Sequence, residues 1–266
     1  MKRLIISLFS ISLLGGAFSA HAINNGGPDN GEHPYVGLMV ADDADGNPLW
    51  RCSGTLISAY VFVTAGHCTE APAARATIWF AEDVEGGIPG NGYPFDGDVD
   101  GTTYIHPNYD PGAFFLYDLG IVVLDEPINM SEYGSLPAAG ALDPLLRKRG
   151  LQDTTFTAVG YGLQRINPVF VEGFRVRLQA TLDLVTLRGV AGSSNGVPPK
   201  TSVWLTNNAH TGGTCFGDSG GPLFADDSNT IVAVTSYGLN GNCAGIGAGY
   251  RIDKQADLDF INSFLP

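Results

Sequence analysis

Gly217-Asp218-Ser219-Gly220-Gly221-Pro222 is the stretch from which the fold and the chemistry of this chain are read. A serine hydroxyl is a weak nucleophile at neutral pH. It becomes a useful one when an imidazole takes its proton and a buried carboxylate fixes the imidazole's tautomer. Working back along the chain, both partners occur in distinctive settings: Thr64-Ala65-Gly66-His67-Cys68 and Asp118-Leu119-Gly120-Ile121. The order is His, Asp, Ser.

The serine stretch also fits the G-x-S-x-G elbow of α/β-hydrolases. That fold places its histidine after its serine, and no histidine follows His210. An elbow also needs an apolar strand leading into it, whereas Asn207-Asn208-Ala209-His210-Thr211-Gly212-Gly213-Thr214-Cys215 has the composition of a loop. The hydrolase reading is set aside.

With these residues in view, the chain resembles the chymotrypsin/trypsin family of serine endopeptidases from about Ile23 onward. The resemblance includes Gly54-Thr55-Leu56-Ile57 before the histidine, His106-Pro107-Asn108-Tyr109 before the aspartate, and Ser236-Tyr237-Gly238 after the serine. Tyr237 stands where the family usually has Trp, and only four cysteines are present. The resemblance implies two antiparallel six-stranded β-barrels and a short C-terminal helix, with the site in the cleft between barrels.

The residues support an all-β class by themselves. Thirty-six glycines punctuate short apolar runs such as Tyr60-Val61-Phe62-Val63, Ile121-Val122-Val123-Leu124 and Ile231-Val232-Ala233-Val234. Helical periodicity appears near the end, where Leu258, Ile261, Phe264 and Leu265 line one face of a segment starting near Asp253. The expected organisation is a signal peptide over 1–22, one barrel over 23–138, and a second barrel with the helix over 139–266. Lys2-Arg3, the apolar run from Leu4 to Leu14 and Ala20-His21-Ala22 form the signal peptide, too short to span a bilayer. The protein is therefore expected outside the cell or in a periplasm.

The chain has 14 basic and 27 acidic residues; without Lys2 and Arg3 the count is 12 against 27, a formal charge of −15. Such a surface repels nucleic acid and anionic lipid. Partners are then protein or peptide substrates and protein inhibitors of a monomer, without nucleic acid or membrane. No cofactor is called for. Two acidic stretches, Asp42-Asp43-Ala44-Asp45-Gly46 and Asp96-Gly97-Asp98-Val99-Asp100-Gly101, invite a calcium reading. The second lacks the closing Glu of an EF-hand loop, having Pro107 there, and polar turns account for both. No metal site is expected.

Among five histidines, His21 leaves with the signal peptide, His33 and His106 precede prolines, and His210 sits in a polar loop as at most a rim residue. His67 follows an apolar run and adjoins Cys68. Asp118 opens the apolar run Leu119–Leu124, where a carboxylate must find partners. The expected roles are Ser219 as nucleophile, His67 as base and Asp118 as its support, with Ser236 bracing Asp118 as the resemblance implies. Gly217 and Ser219 supply the N–H groups of the oxyanion hole. Four cysteines allow three pairings. Cys52–Cys68 and Cys215–Cys243 are chosen because each closes a short loop around a catalytic element, as the resemblance also implies.

The resemblance further implies that Gly213 forms the floor of the primary specificity pocket, with Ser236, Tyr237, Gly238 and Ala248 around it. An uncharged floor predicts cleavage after Phe, Tyr, Leu or Met. A smaller pocket for Ala or Val remains an alternative, and Asp226 or Asp227 reaching in would favour cations. It also implies an activation pair between Asp218 and the α-amino group of Ile23, freed at the signal-peptidase site. Asn24, in place of an apolar residue, must then find hydrogen bonds if buried. A second class of function is a secreted binding protein on a protease scaffold. No triad residue has been lost here.

Overall fold

The computed structural model describes residues 23–86, 92–147, 153–167, 170–189, 197–225 and 228–266. The signal-peptide segment, and Asp226 and Asp227, lie outside them.

The first closed barrel is built from β2 (Val36–Asp42), β3 (Pro48–Leu56), β4 (Val61–Thr64), β5 (Arg75–Trp79), β6 (Val99–Ile105) and β7 (Gly120–Leu124), ordered β2-β3-β4-β7-β6-β5; β1 is Gly27–Pro28. Its strands are rich in β-branched and apolar residues, which suit a pleated, buried surface. Every residue of β2 and β4 is buried. Phe62, on β4, fills the barrel beneath β3, where a Cβ on Gly54 would lie 2.2 Å from its ring.

Between the barrels' strands lie α1 (Gly66–Thr69) and a small hairpin of β9 (Arg165–Asn167) and β10 (Phe170–Glu172). The second barrel comprises β8 (Thr155–Gly160), β11 (Leu178–Thr186), β12 (Ser202–Asn207), β13 (Pro222–Ala225), β14 (Ile231–Gly238) and β15 (Gly245–Arg251). Its order is β11-β12-β15-β14-β13-β8, and pairing of β11 with β8 closes it. Both six-stranded antiparallel barrels expected from the sequence are present.

Both ends of the described chain cross over. Ile23 is fully buried in the core of the second barrel, and β1 pairs with β11, although these residues precede the first barrel in sequence. The terminal helix α2 (Gln255–Asn262) packs instead against the first core through Ile261 and Phe260. It is shorter than the apolar pattern suggests. Phe264 and Leu265 lie beyond its end, held by turn bonds from their amides to Ile261 O and Asn262 O, yet they still pack on that core.

The acidic turn at Asp43 satisfies itself: its carboxylate accepts from the amides of Asp45 and Asn47 and from Asn47 Nδ2. No described helix is long and apolar enough to cross a membrane.

Candidate active site

His67 lies in α1, directly after β4, and its ring is fixed by Asp118 just before β7. Nδ1 stands 3.0 Å from both carboxylate oxygens, and the His67 amide donates to Asp118 Oδ1 at 2.9 Å. Asp118 is fully buried, and Ser236 on β14 donates its hydroxyl to Oδ2. Burial pulls the imidazole pKa down, but the charge and hydrogen bond of Asp118 outweigh it and leave the group above its ordinary value. The carboxylate therefore holds Nδ1 as the protonated nitrogen and leaves Nε2 with its lone pair free.

Ser219 belongs to the loop before β13, and the first barrel holds that loop by hydrogen bonds. Ser53 on β3 donates its amide to Ser219 O at 2.8 Å and its hydroxyl to Gly217 O at 2.9 Å. Ser53 Oγ in turn accepts from Tyr161 N at 3.0 Å. Gly220, at φ +79°, fits where a Cβ would come within 2.0 Å of Thr64 Oγ1. Sequence reasoning did not single out Ser53; its signal is only a small polar residue inside a strand of mixed composition.

His67, Ser219, Gly217, Ser236, Tyr237 and Gly238 all line one cleft of about 750 Å³. Among the described residues, the amides of Gly217 and Ser219 donate to no protein group, so two N–H groups remain available beside the serine. Gly217 has φ +98°, and a Cβ there would lie 2.9 Å from Arg51 Nε.

The disulfides are Cys52–Cys68, tying β3 to α1 beside His67, and Cys215–Cys243, tying the serine loop to the segment before β15. A geometric cluster of Cys52, Cys68 and His67 is no metal site, because both sulfurs are spent in the first disulfide.

Asp218 is buried and accepts from Gly162 N and Cys215 N, each at 2.8 Å. Burial pushes its carboxyl up to about 7, against the two amide bonds and the charge of Arg51. Asn24 meets the requirement set for it: its Nδ2 donates to Cys243 O at 2.9 Å, and its carbonyl accepts from Gly213 N at 2.9 Å.

The chain now has a fold and a site that can be set beside known proteins. The family model described as Trypsin matches residues 24–258.

This chain belongs to the trypsin family.

Among curated relatives, the trypsin-family chain is 25% identical to serine protease Hayan of Drosophila melanogaster, over 94% of this chain and 40% of that protein. It is 29% identical to a chymotrypsin of Phaedon cochleariae, over 77% of this chain and 68% of the relative. It thus spans about two fifths of the length of the first of these. Among solved structures, HL collagenase superposes with a TM-score of 0.67 at 18% identity, covering 91% of this chain and 97% of its own. A scabies mite inactivated protease paralogue reaches the same score at 16% identity, with the same coverage. These two likenesses establish the fold alone.

Two residues expected in the specificity pocket of this trypsin-family chain do not line the cleft. Gly213 is covered by Asn207, whose Cγ and Oδ1 lie 2.1 Å from where a Gly213 Cβ would be. Ala248 is buried on β15 opposite Trp204 and Tyr237, behind the wall. Asn207, Thr214 and Ile246 line the cleft in their place. Tyr237 is edge-on to Trp204 and Phe114 at 5.4 and 5.6 Å, and bonds Ser202 Oγ at 2.9 Å. His210 is exposed and lines a separate hollow with Asn25, Gln179 and Asp183. His33 binds Asp29 at 2.6 Å, and His106 stacks on Tyr117, so both are occupied structurally.

Proposed function

We propose that this chain is an exported serine endopeptidase that cuts protein or peptide substrates after apolar or aromatic residues. Ser219 Oγ attacks the scissile carbonyl while His67 Nε2 takes its proton, and Asp118 stabilises the imidazolium. The oxyanion is received by the amides of Gly217 and Ser219. His67 then gives its proton to the leaving amine, and a water deprotonated by His67 releases the acid from Ser219. The first barrel contributes His67 and Asp118; the second contributes Ser219.

One observation carries this reading: an imidazole fixed by a buried carboxylate opens on the same cleft as Ser219 and two unpaired amides. Activation by a free Ile23 amine that pairs with Asp218 belongs to the same reading. The alternative is a secreted binding protein without turnover.

Labelling with a fluorophosphonate separates them. The expected result is one adduct per chain on Ser219, absent from Ser219→Ala, together with cleavage of a denatured protein substrate. An exported protein that takes up no label on Ser219 and cuts nothing refutes the peptidase reading.

A further inference from the structure

A cation taken out of water needs a counter-charge, and one left without it in a substrate cleft points to what the substrate brings. Arg51, on β3, is half-buried and lines the cleft beside Cys52. Its guanidinium packs on the face of Gly217, where a Cβ would lie 2.9 Å from Nε and 3.1 Å from Nη2. Arg75, Arg175, Arg177 and Arg251 each meet a carboxylate. Among the described residues, no carboxylate comes within ion-pair distance of Arg51.

The groups around Arg51 leave its charge uncompensated. Arg175 adds a like charge and is itself spent on Glu85 at 2.9 Å, with its guanidinium over the Tyr93 ring. Asp218 is buried behind the serine loop, and its two oxygens are taken by the amides of Gly162 and Cys215. Glu70, an acid of the cleft lining, acts on His67 and accepts from Tyr109 OH at 3.1 Å. Burial and Arg175 hold the guanidinium below the ordinary arginine range, against the Tyr93 hydroxyl and Asp218. An arginine stays charged even so.

The place of Arg51 fixes which part of a substrate meets it. Thr235, Ser236, Tyr237 and Gly238 of β14 form the wall given by the second barrel. Trp50, Arg51 and Cys52 of β3 form the wall given by the first, next to the disulfide that backs His67. A chain with its acyl side along β14 and its leaving nitrogen at His67 continues over the first-barrel wall.

We propose that Arg51 is a specificity-determining residue that pairs with an aspartate or glutamate at the first or second residue after the scissile bond. The proposal rests on the peptidase reading above and names a feature of its substrate. A carboxylate matches the guanidinium fork through two parallel N–H···O bonds. A neutral residue leaves the cation without a partner, and a lysine or arginine adds to the positive charge that Arg51 and Arg175 already place there. The chain as a whole is acidic, so the preference belongs to one substrate position and not to acidic proteins in general.

The test begins with fluorophosphonate titration, so that rates refer to counted active sites. Cleavage of a peptide mixture identifies the residue preferred before the bond, which matched peptides then keep constant. Those peptides carry glutamate, glutamine or lysine at the first or the second position after the bond. At one of the two positions, kcat/KM should be about fivefold higher for glutamate than for glutamine, the scale of a partly buried ion pair, with lysine lowest. High salt should shrink that ratio. Arg51→Gln should bring the ratio near one, Arg51→Lys should keep it above one, and Arg51→Glu should favour lysine. A guanidinium that only packs the serine loop would change rates on all peptides alike and leave the ratio unmoved. If a variant fails to fold, the peptide series and its salt dependence on the unaltered protein still decide. Full titration with glutamine equal to or better than glutamate at both positions overturns the proposal and leaves the peptidase reading standing. Absence of titratable sites overturns the peptidase reading and this proposal with it.

Discussion

His67 is under two opposed influences, and their balance sets the acid limb expected of the proposed peptidase. Burial disfavours the imidazolium, while Asp118, hydrogen-bonded at 3.0 Å, favours it and prevails. Only the neutral imidazole can accept the Ser219 proton, so kcat/KM should fall as pH drops through a midpoint above the ordinary 6.5. Asp118→Asn removes the favourable charge and leaves the burial, and the carboxamide also disfavours the working tautomer. We expect a rate loss of about 10⁴-fold, the scale of such a tautomer defect in triad enzymes, with the acid midpoint moved downward. A pH–rate profile checks both; an unmoved midpoint in the variant would deny that Asp118 sets it. At this scale the proposed triad was legible because each of its members carries its own local setting. Ser53 and Asn207 were not, since their partners Gly217 O and Gly213 are found only by folding.

At the scale of the element, α2 carries a buried carboxylate that lies outside the proposed triad. Asp257 accepts from Tyr250 OH at 3.0 and 3.1 Å, and faces His106 Nε2 at 3.8 Å, with Tyr117 stacked on that imidazole. Burial pushes Asp257 up to about 7; Tyr250 and Lys254 oppose the shift and Asp253 adds to it. A carboxyl that binds its proton more tightly when folded stabilises the fold below its unfolded pKa of about 3.8. That stability is lost as pH rises through about 7. Asp257→Asn keeps an acceptor for Tyr250 and removes the charge. Its melting temperature relative to the parent should therefore be higher at pH 8 than at pH 5. Thermal melts at the two pH values test this, and an equal offset at both would count against it. The helix itself was readable from Leu258 and Ile261. Its end was not, because Phe264 and Leu265 continue the apolar pattern without continuing the helical bonds.

Across the whole molecule, the two ends of the described chain exchange barrels, and the proposed activation runs through the first of them. Ile23 is buried in the second core, and Asn24 is bridged to Gly213. With residues still attached before Ile23 there is no ammonium, and burial holds Asp218 at about 7. A chain extended before Ile23 should thus lose stability as pH rises from about 4 through 7, by the same sign argument. In the proposed activation, a chain starting at Ile23 would bring a cation to Asp218 and should be spared that loss. Its activity should then fall at alkaline pH as the amine, raised above its free value of about 7.7–8.0, loses its proton. Melting curves of both forms at pH 5 and 8, with N-terminal sequencing of the active protein, provide the check. An active enzyme that starts elsewhere refutes this mode of activation.

By itself the sequence determined the family, the all-β class, the disulfide partners and the residues of the proposed triad. These depend on short-range chemistry: apolar runs such as Val61–Val63, the residues flanking Ser219, and cysteines close to His67 and Ser219. Only the tertiary structure decided how the serine loop is hung from Ser53, 164 residues from Gly217, and which side chain covers Gly213. The reason is physical. A nucleophile, a base or a strand is specified by its neighbours in the chain. An unpaired acceptor such as Asn207 Oδ1 is specified by the groups that packing brings to it and by those it leaves away.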